Sequence, residues 1–428
     1  MKTLAQQYLQ ECLERFPLKD LSVERNESQD QLFRELGLNI KDFTFEEEDR
    51  VAHLLAELHE ALPPDIRRLV DEGRLVAAEV GDTVPDAHVV SLGEDNYPVY
   101  LQTGLFQLLY SMARPIASAV FRTEGESAST GISTQDLARI MSEISTWLVT
   151  TGECTGPKYP VTGHQKFIAN ILAMRAERFI LAHEIGHIML ARQADEAIHL
   201  RYQADPHQEE HDADVLALQL TLVACHHRNG DGDPTRILLT YAGSELALQV
   251  WSVIEKLHLT QPSPTHPSAQ DRISILRSAL RENCASEEQY LVITKIADVI
   301  GHAFTQACDI AQKAQTASVL PDTQAEDYAK SFKRLLEKCS KGLVPNYIGF
   351  RPPAWDLISK GYPQAFRAVF VDVAKELAAA SNTSLSASNE TEALRLLCLW
   401  SQYKQLTSFA NLMPEPLKSY YGEALTID

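Results

Sequence analysis

Residues 183 to 187 read His-Glu-Ile-Gly-His. On a helix, residues i and i+4 lie one above the other on one face, so His183 and His187 can offer two imidazole nitrogens to one metal ion. Glu184 is rotated about 100° from His183 around such a helix. From there its carboxylate can hold and deprotonate a water without ligating the metal itself. With average residue usage, His-Glu-x-x-His arises by chance in roughly one chain in a hundred of this length, so the string alone does not decide the matter. The surroundings weigh more. Ile180, Leu181, Ile185, Ile188, Met189 and Leu190 make most of the helix apolar. Buried polar groups need partners, and a metal is an effective one.

A catalytic zinc takes three protein ligands and leaves a fourth position open. The segment Gln208 to Leu220 (QEEHDADVLALQL) supplies acidic donors and a histidine. Glu210 and Asp214 are four apart and share a helix face. Ala213, Leu216, Ala217 and Leu220 give that helix an inward stripe, and a carboxylate on its border can point at a metal on a neighbouring helix. Asp214 is spaced to accept the second ring N–H of a liganding histidine, which fixes its tautomer. Ala213 is small enough to allow close helix approach. His211, Glu209 and Asp212 are alternatives to Glu210 as the third ligand.

These groups need a scaffold. Helical spacing marks residues 1 to about 75, through Leu4, Tyr8, Leu9 and Leu13 and then Val51, Leu54, Leu55 and Leu58, with a polar break from Asp20 to Asp30 and a stop at Pro63–Pro64. The period then changes. Leu75–Val80, His88–Leu92 and Tyr97–Leu101 are short Val-, Leu- and Tyr-rich segments between turn residues, read as strands of a small sheet. An apolar helix follows from Gly104 to Phe121. Ser133 with Asp136 resembles a capping box that opens the next helix. Further helices are predicted over 165–192, 207–225 and 234–257, and Ser268 with Asp271 reads as a second capping box with Arg272 in the first turn after it. Asn229 to Pro234 is turn chemistry, lacking the full pattern of a calcium loop. The fold class is therefore α+β and predominantly helical. It divides into an N-terminal helical region (1–75), a core (76–283) with an insertion at about 122–166, and a C-terminal helical region (284–428).

Composition narrows the function classes. The formal net charge of −19 on 428 residues, with no Lys/Arg run, argues against a nucleic-acid partner. No stretch approaches the ~18 to 20 apolar residues of a membrane span. The N-terminal residues lack a basic segment followed by an apolar run, so the expected location is cytoplasmic. Seven widely spaced cysteines without a CxxC read as reduced, mostly buried thiols.

His183–His187 followed by Glu210–Asp214 (HEIGH…EHDAD) resembles the gluzincin pattern HExxH…ExxAD, and is similar to the peptidase family of HtpX, BepA and the CAAX prenyl endoproteases. Two further stretches carry the resemblance. Residues 85 to 109 (PDAHVVSLGEDNYPVYLQTGLFQLL) are similar to the family's strand and turn into a helix beginning Gly-Leu. Residues 263 to 276 (SPTHPSAQDRISIL) are similar to its Thr-His-Pro…Arg-Ile signature. The resemblance implies a zincin-like core in which His183, His187 and Glu210 ligate zinc and Glu184 is the general base. It implies Asp214 behind the ligands, with His266 and Arg272 near the developing oxyanion and its supporting contacts. The strand around Tyr97 to Thr103 would be the edge on which an extended substrate pairs. The activity implied is zinc-dependent hydrolysis of peptide bonds in protein or peptide substrates. Tyr202 and Tyr241 are spare donors. Many family members carry membrane helices or export signals, and neither is read here. Two other readings stand beside it: a metal-binding regulatory or interaction module with little catalysis, and a highly restricted regulatory or defence protease.

Overall fold

The computed structural model describes residues 2–18, 50–82, 85–121, 131–151, 154, 157, 159, 161–193, 205–227, 234–258 and 266–315. The chain divides into two compact units, one of residues 1–144 with 156–312 and one of residues 145–155 with 313–428. The first holds the sheet and every residue of the candidate site. The C-terminal helical region predicted from 284 onward lies outside the described residues after Gln315, as do the polar break at 20–30 and the turn at 229–233.

The architecture is α+β and predominantly helical, with one three-stranded sheet. Helix α1 (Leu4–Arg15) starts from a capping box in which the Thr3 hydroxyl accepts from the Gln6 amide. Helix α2 (Arg50–Leu58) buries Val51, Leu54, Leu55 and Leu58 on one stripe. Pro63–Pro64 not only ends this segment. Pro64 is the first residue of helix α3 (Pro64–Asp71), where its missing N–H costs nothing and its fixed φ suits the turn. The sequence patterning did not separate α3 from what precedes it.

The sheet comprises β1 (Leu75–Val80), β2 (Ala87–Val89) and β3 (Tyr97–Gln102) in the order β1-β3-β2. β1 pairs with β3 in parallel, Leu75 opposite Tyr97, and β2 pairs with β3 antiparallel, His88 opposite Tyr100. The expectation that the Tyr97–Thr103 strand is a free edge is therefore corrected. β3 is the central strand, because β1 must bury Leu75 and Val80 and does so along its far side. β2 is the edge. The β2–β3 turn holds Gly93, Glu94 and Asp95 at positive φ (78°, 50° and 58°), costly for the two non-glycine residues. Asn96 Nδ2 donates to the Gly93 and Glu94 carbonyls at 3.3 and 3.1 Å, and Arg192 pairs with Asp95 and lies 3.6 Å from Asp65.

Helix α4 (Thr103–Val120) follows β3 directly, and α5 (Thr134–Thr151) opens with the predicted reciprocal bonds between Ser133 and Asp136. The centre is α6 (Gly163–Gln193), against which α4, α7 (Pro206–His227) and α8 (Pro234–His258) pack most extensively. Ionic clamps fix α2 to α6: Arg50 with Glu177, and Arg178 with Glu57. α9 (Ala269–Asn283) and α10 (Glu287–Gln315) complete the described chain. α8 is long and apolar enough by composition to cross a membrane, but 78% of its apolar window is buried in the fold. It also carries Glu245, which accepts from Tyr241 at 2.8 Å, Gln249 at 2.6 Å and Arg277 at 2.9 and 2.6 Å. Cys12, Cys154, Cys225, Cys284 and Cys308 form no disulfide.

Candidate metal centre and active site

The middle of α6 places His183 and His187 one turn apart, and the first turns of α7 bring Glu210 against them. His183 Nε2 and His187 Nε2 are 3.1 Å apart. Glu210 Oε2 lies 3.5 Å from His183 Nε2, and Glu210 Oε1 lies 3.5 Å from His187 Nε2. The helices can meet this closely because Gly186 faces Ala213, a contact that a side chain at 186 would fill.

The hydrogen bonds behind this cluster decide where the lone pairs point. His183 Nδ1 is 3.0 Å from Asp214 Oδ1, and His187 Nδ1 is 3.2 Å from Glu209 Oε1. With Nδ1 of each ring engaged by its carboxylate, both Nε2 atoms are aimed at the same point. Glu210 adds two more acceptor oxygens there, and its buried Oε2 accepts no hydrogen bond. A convergent set of ligand atoms in a nearly dry site suits a cation. The spacing agrees: four-coordinate zinc with bonds near 2.0–2.1 Å sets its ligand atoms about 3.3–3.4 Å apart. His183, His187 and Glu210 form the group of described residues that could hold a metal ion.

Electrostatics around the group are strongly polarised. Burial works to lower the His183 pKa, but Asp214 and Glu210 overcome it and raise the value to about 9. Burial works to raise that of Glu210, yet His183, Arg272 and His266 hold it down at about 2. Asp214, fully buried, is likewise kept well below the usual carboxylate range by the Arg272 guanidinium and His183 against the effect of burial. Glu184 differs from both. Burial pushes its carboxyl up, against the opposing pull of His183, His187 and His88. A carboxylate with a raised pKa beside two metal-facing imidazoles is suited to accepting a proton.

Arg272 sits in the first turn of α9 behind the Ser268 cap. Its guanidinium grips Asp214 in a two-pronged pair, Nε to Oδ2 at 2.7 Å and Nη2 to Oδ1 at 2.6 Å, with Nη1 3.8 Å from Glu210 Oε2. Nη2 also lies 3.5 Å from His183 Nδ1, so its contacts are with Asp214 and with two members of the cluster. His266 is largely exposed at the mouth, with Nε2 3.5 Å from Glu210 Oε1. On the other side lies β2, which packs on α6. Asp86 and His88 of that edge act on Glu184 through their charges.

His211 and Asp212 are not among the converging donors. Glu209, one of the alternatives to Glu210, instead buttresses His187. The phase of α7 against α6 assigns these neighbouring residues their places, and the four-residue spacing of Glu210 to Asp214 is the local sign that favours Glu210. Tyr241 is fully buried and bonds to Glu245. Tyr202 lies outside the described residues.

Residues 135–292 match the Peptidase U49 family model, which supports a peptidase family for this region. Those residues include His183, Glu184, His187, Glu210, Asp214, His266 and Arg272, and exclude the sheet. No curated protein and no solved structure matches the chain.

Proposed function

We propose that the peptidase chemistry of this chain is metal-dependent: a zinc endopeptidase of the gluzincin type, similar in its motifs to the HtpX, BepA and CAAX prenyl endoprotease family. The observation that carries the reading is the convergence of His183 Nε2, His187 Nε2 and Glu210 on one point at 3.1–3.5 Å, each histidine backed by its own carboxylate. Two nitrogens and a carboxylate suit zinc among the common divalent ions.

In this reading His183, His187 and Glu210 hold the ion, and Asp214 and Glu209 orient the rings. Arg272 is a positioning residue that keeps Asp214 ionised and in place. Zinc, when bound, supplies Lewis acidity toward a peptide carbonyl and an attacking water. Glu184 takes a proton from the attacking water as the new C–O bond forms and returns it to the amine as the C–N bond then breaks, so the proton count closes. His266, at the mouth, donates to the carbonyl oxygen as charge develops on it. The substrate is an extended peptide that adds to the outer edge of β2, which pairs with no second strand among the described residues, antiparallel ladder chemistry supplying its main-chain bonds.

The test is zinc content and cleavage of a protein substrate library by the wild type and by Glu184→Gln. Retained zinc with cleavage abolished is the expected result. Undiminished cleavage in Glu184→Gln would remove Glu184 from the mechanism, and a metal-free but active wild type would remove the ion.

A further inference from the structure

One of the two open positions on the β2 edge already has an occupant. In the β2–β3 pair, Gln102 donates to the Asp86 carbonyl and Val90 to the Pro98 carbonyl, both at 3.0 Å. Antiparallel ladders alternate, so residues 86, 88 and 90 face β3, and Ala87 and Val89 turn their N–H and C=O groups to the open edge. The Ala87 N–H is donated to Asp86 Oδ1 at 2.9 Å. The other oxygen, Asp86 Oδ2, lies 2.8 Å from His88 Nε2. Asp86 and His88 are two apart and share a strand face, and the His88 ring leans on Tyr100 with centroids 5.4 Å apart. The Asp86 carboxylate is thus held at both oxygens across the strand edge. Nothing in the mechanism above uses it, although its charge reaches both Glu184 and His266.

We propose that Asp86 is a specificity-determining residue, which withholds the Ala87 N–H from the peptide main chain unless the peptide brings a Lys or Arg side chain to exchange for it. The inference rests on the peptidase reading and on β2 as the docking edge. A neutral peptide gains the Ala87 N–H only by stripping one partner from an ionised carboxylate, whose hydrogen bonds are about twice as strong as neutral ones. A cationic peptide makes the same main-chain bond and gives Asp86 a new partner, while His88 keeps hold of Oδ2. The net charge of −19 also favours the approach of cationic peptides.

The experiment uses the full chain, zinc-loaded and carrying Glu184→Gln so that peptides bind without turnover. Two extended peptides differ only in one Lys replaced by norleucine, and their Kd values are read by fluorescence anisotropy. The Ala87 amide is followed by hydrogen exchange. The parent should prefer the Lys peptide by about three- to tenfold. Adding Asp86→Ala should erase the preference, tighten the norleucine peptide by a similar factor and speed Ala87 exchange. Asp86→Asn, which keeps an acceptor without the charge, should lose the preference while Ala87 stays protected. It also controls for misfolding, together with retained zinc content. A Lys preference that survives Asp86→Ala, or equal binding of the two peptides by the parent, overturns the proposal alone. If neither peptide binds the parent while Ala87 exchange still responds to Asp86→Ala, the peptidase reading fails and takes the proposal with it.

Discussion

Gly186 faces Ala213 so closely that a Cβ on residue 186 would sit 3.0 Å from the Ala213 carbonyl oxygen and 3.2 Å from its Cα. This contact sets the separation of α6 and α7, and with it the distance from the two histidines to Glu210. Gly186→Ala gains up to about 1 kcal/mol of helix propensity, against a few tenths of an ångström of forced separation. Gly186→Val has no such offset and overpacks by about 1–3 kcal/mol. The expected outcome is a lower Tm and at least a tenfold weaker zinc affinity for the valine variant, measured by competition with a chromogenic chelator. Unchanged affinity would mean that the helices separate without disturbing the donors.

Arg272 and Asp214 form a buried pair in which the acid has no access to solvent. Arg272→Met leaves that charge without its strongest partner, and removal of one member of such a pair costs about 3–5 kcal/mol. Adding Asp214→Asn should recover much of the stability but not the zinc affinity, because His183 then lacks an ionised acceptor on Nδ1. Loss of a carboxylate behind a metal-binding histidine weakens metal binding about 10- to 100-fold. A double-mutant cycle in urea, with zinc titrations on all four proteins, separates the two effects.

The three consecutive residues Glu209, Glu210 and His211 should behave in three distinct ways. Glu210→Ala should abolish stoichiometric zinc. Glu209→Ala, which frees His187 Nδ1, should weaken binding about tenfold. His211→Ala should leave it unchanged. Metal content after gel filtration and a chelator competition read all three, and equal losses at 209 and 211 would contradict the placement of α7.

The pH dependence of metal binding follows from His183. Its pKa in the metal-free fold is raised from 6.5 to about 9, so the ring keeps its second proton through neutrality and a metal must expel it. Affinity should climb by about tenfold per pH unit toward pH 9 and then flatten. The stability sign runs the other way for the metal-free protein. A raised histidine pKa contributes stability that is complete below about 6.5 and is lost as pH rises through about 9. The Tm difference between zinc-loaded and metal-free protein should therefore widen across that interval. Calorimetric zinc titrations in two buffers of different ionisation enthalpy count the proton released, and a count of zero at pH 7 would refute the assignment.

Much of this was legible because it is local. The pairing of His183 with His187 needs only a helix, and the Ser133–Asp136 and Ser268–Asp271 caps need only four residues each. β1 and β3 announced themselves by composition. What the pattern could not carry is set by contacts between distant segments. β3 becomes a central strand only because Leu75–Val80 lies along it in parallel. Glu209 and Glu210 differ by about 100° of helix rotation, and the Gly186–Ala213 contact decides which one reaches the cluster. The grip of Arg272 on Asp214 joins residues 58 apart. The core helices also bury residues on nearly all sides, so their own periodicity says little about which face meets which neighbour.

Helix α9 also has a consequence for the order in which the site is assembled on the ribosome. Arg272 neutralises Asp214, and one and a half turns later Arg277 fastens the same helix to Glu245 of α8 and, at 2.8 Å, to Asp298 of α10. A nascent chain that has emerged only through α8 already carries His183, Glu184, His187 and Glu210, yet it leaves Asp214 without its strongest counter-charge, the Arg272 guanidinium. Completion of the charge pairing behind the cluster is thereby tied to the arrival of a late segment, and a prematurely terminated chain is left with the motif but without that support.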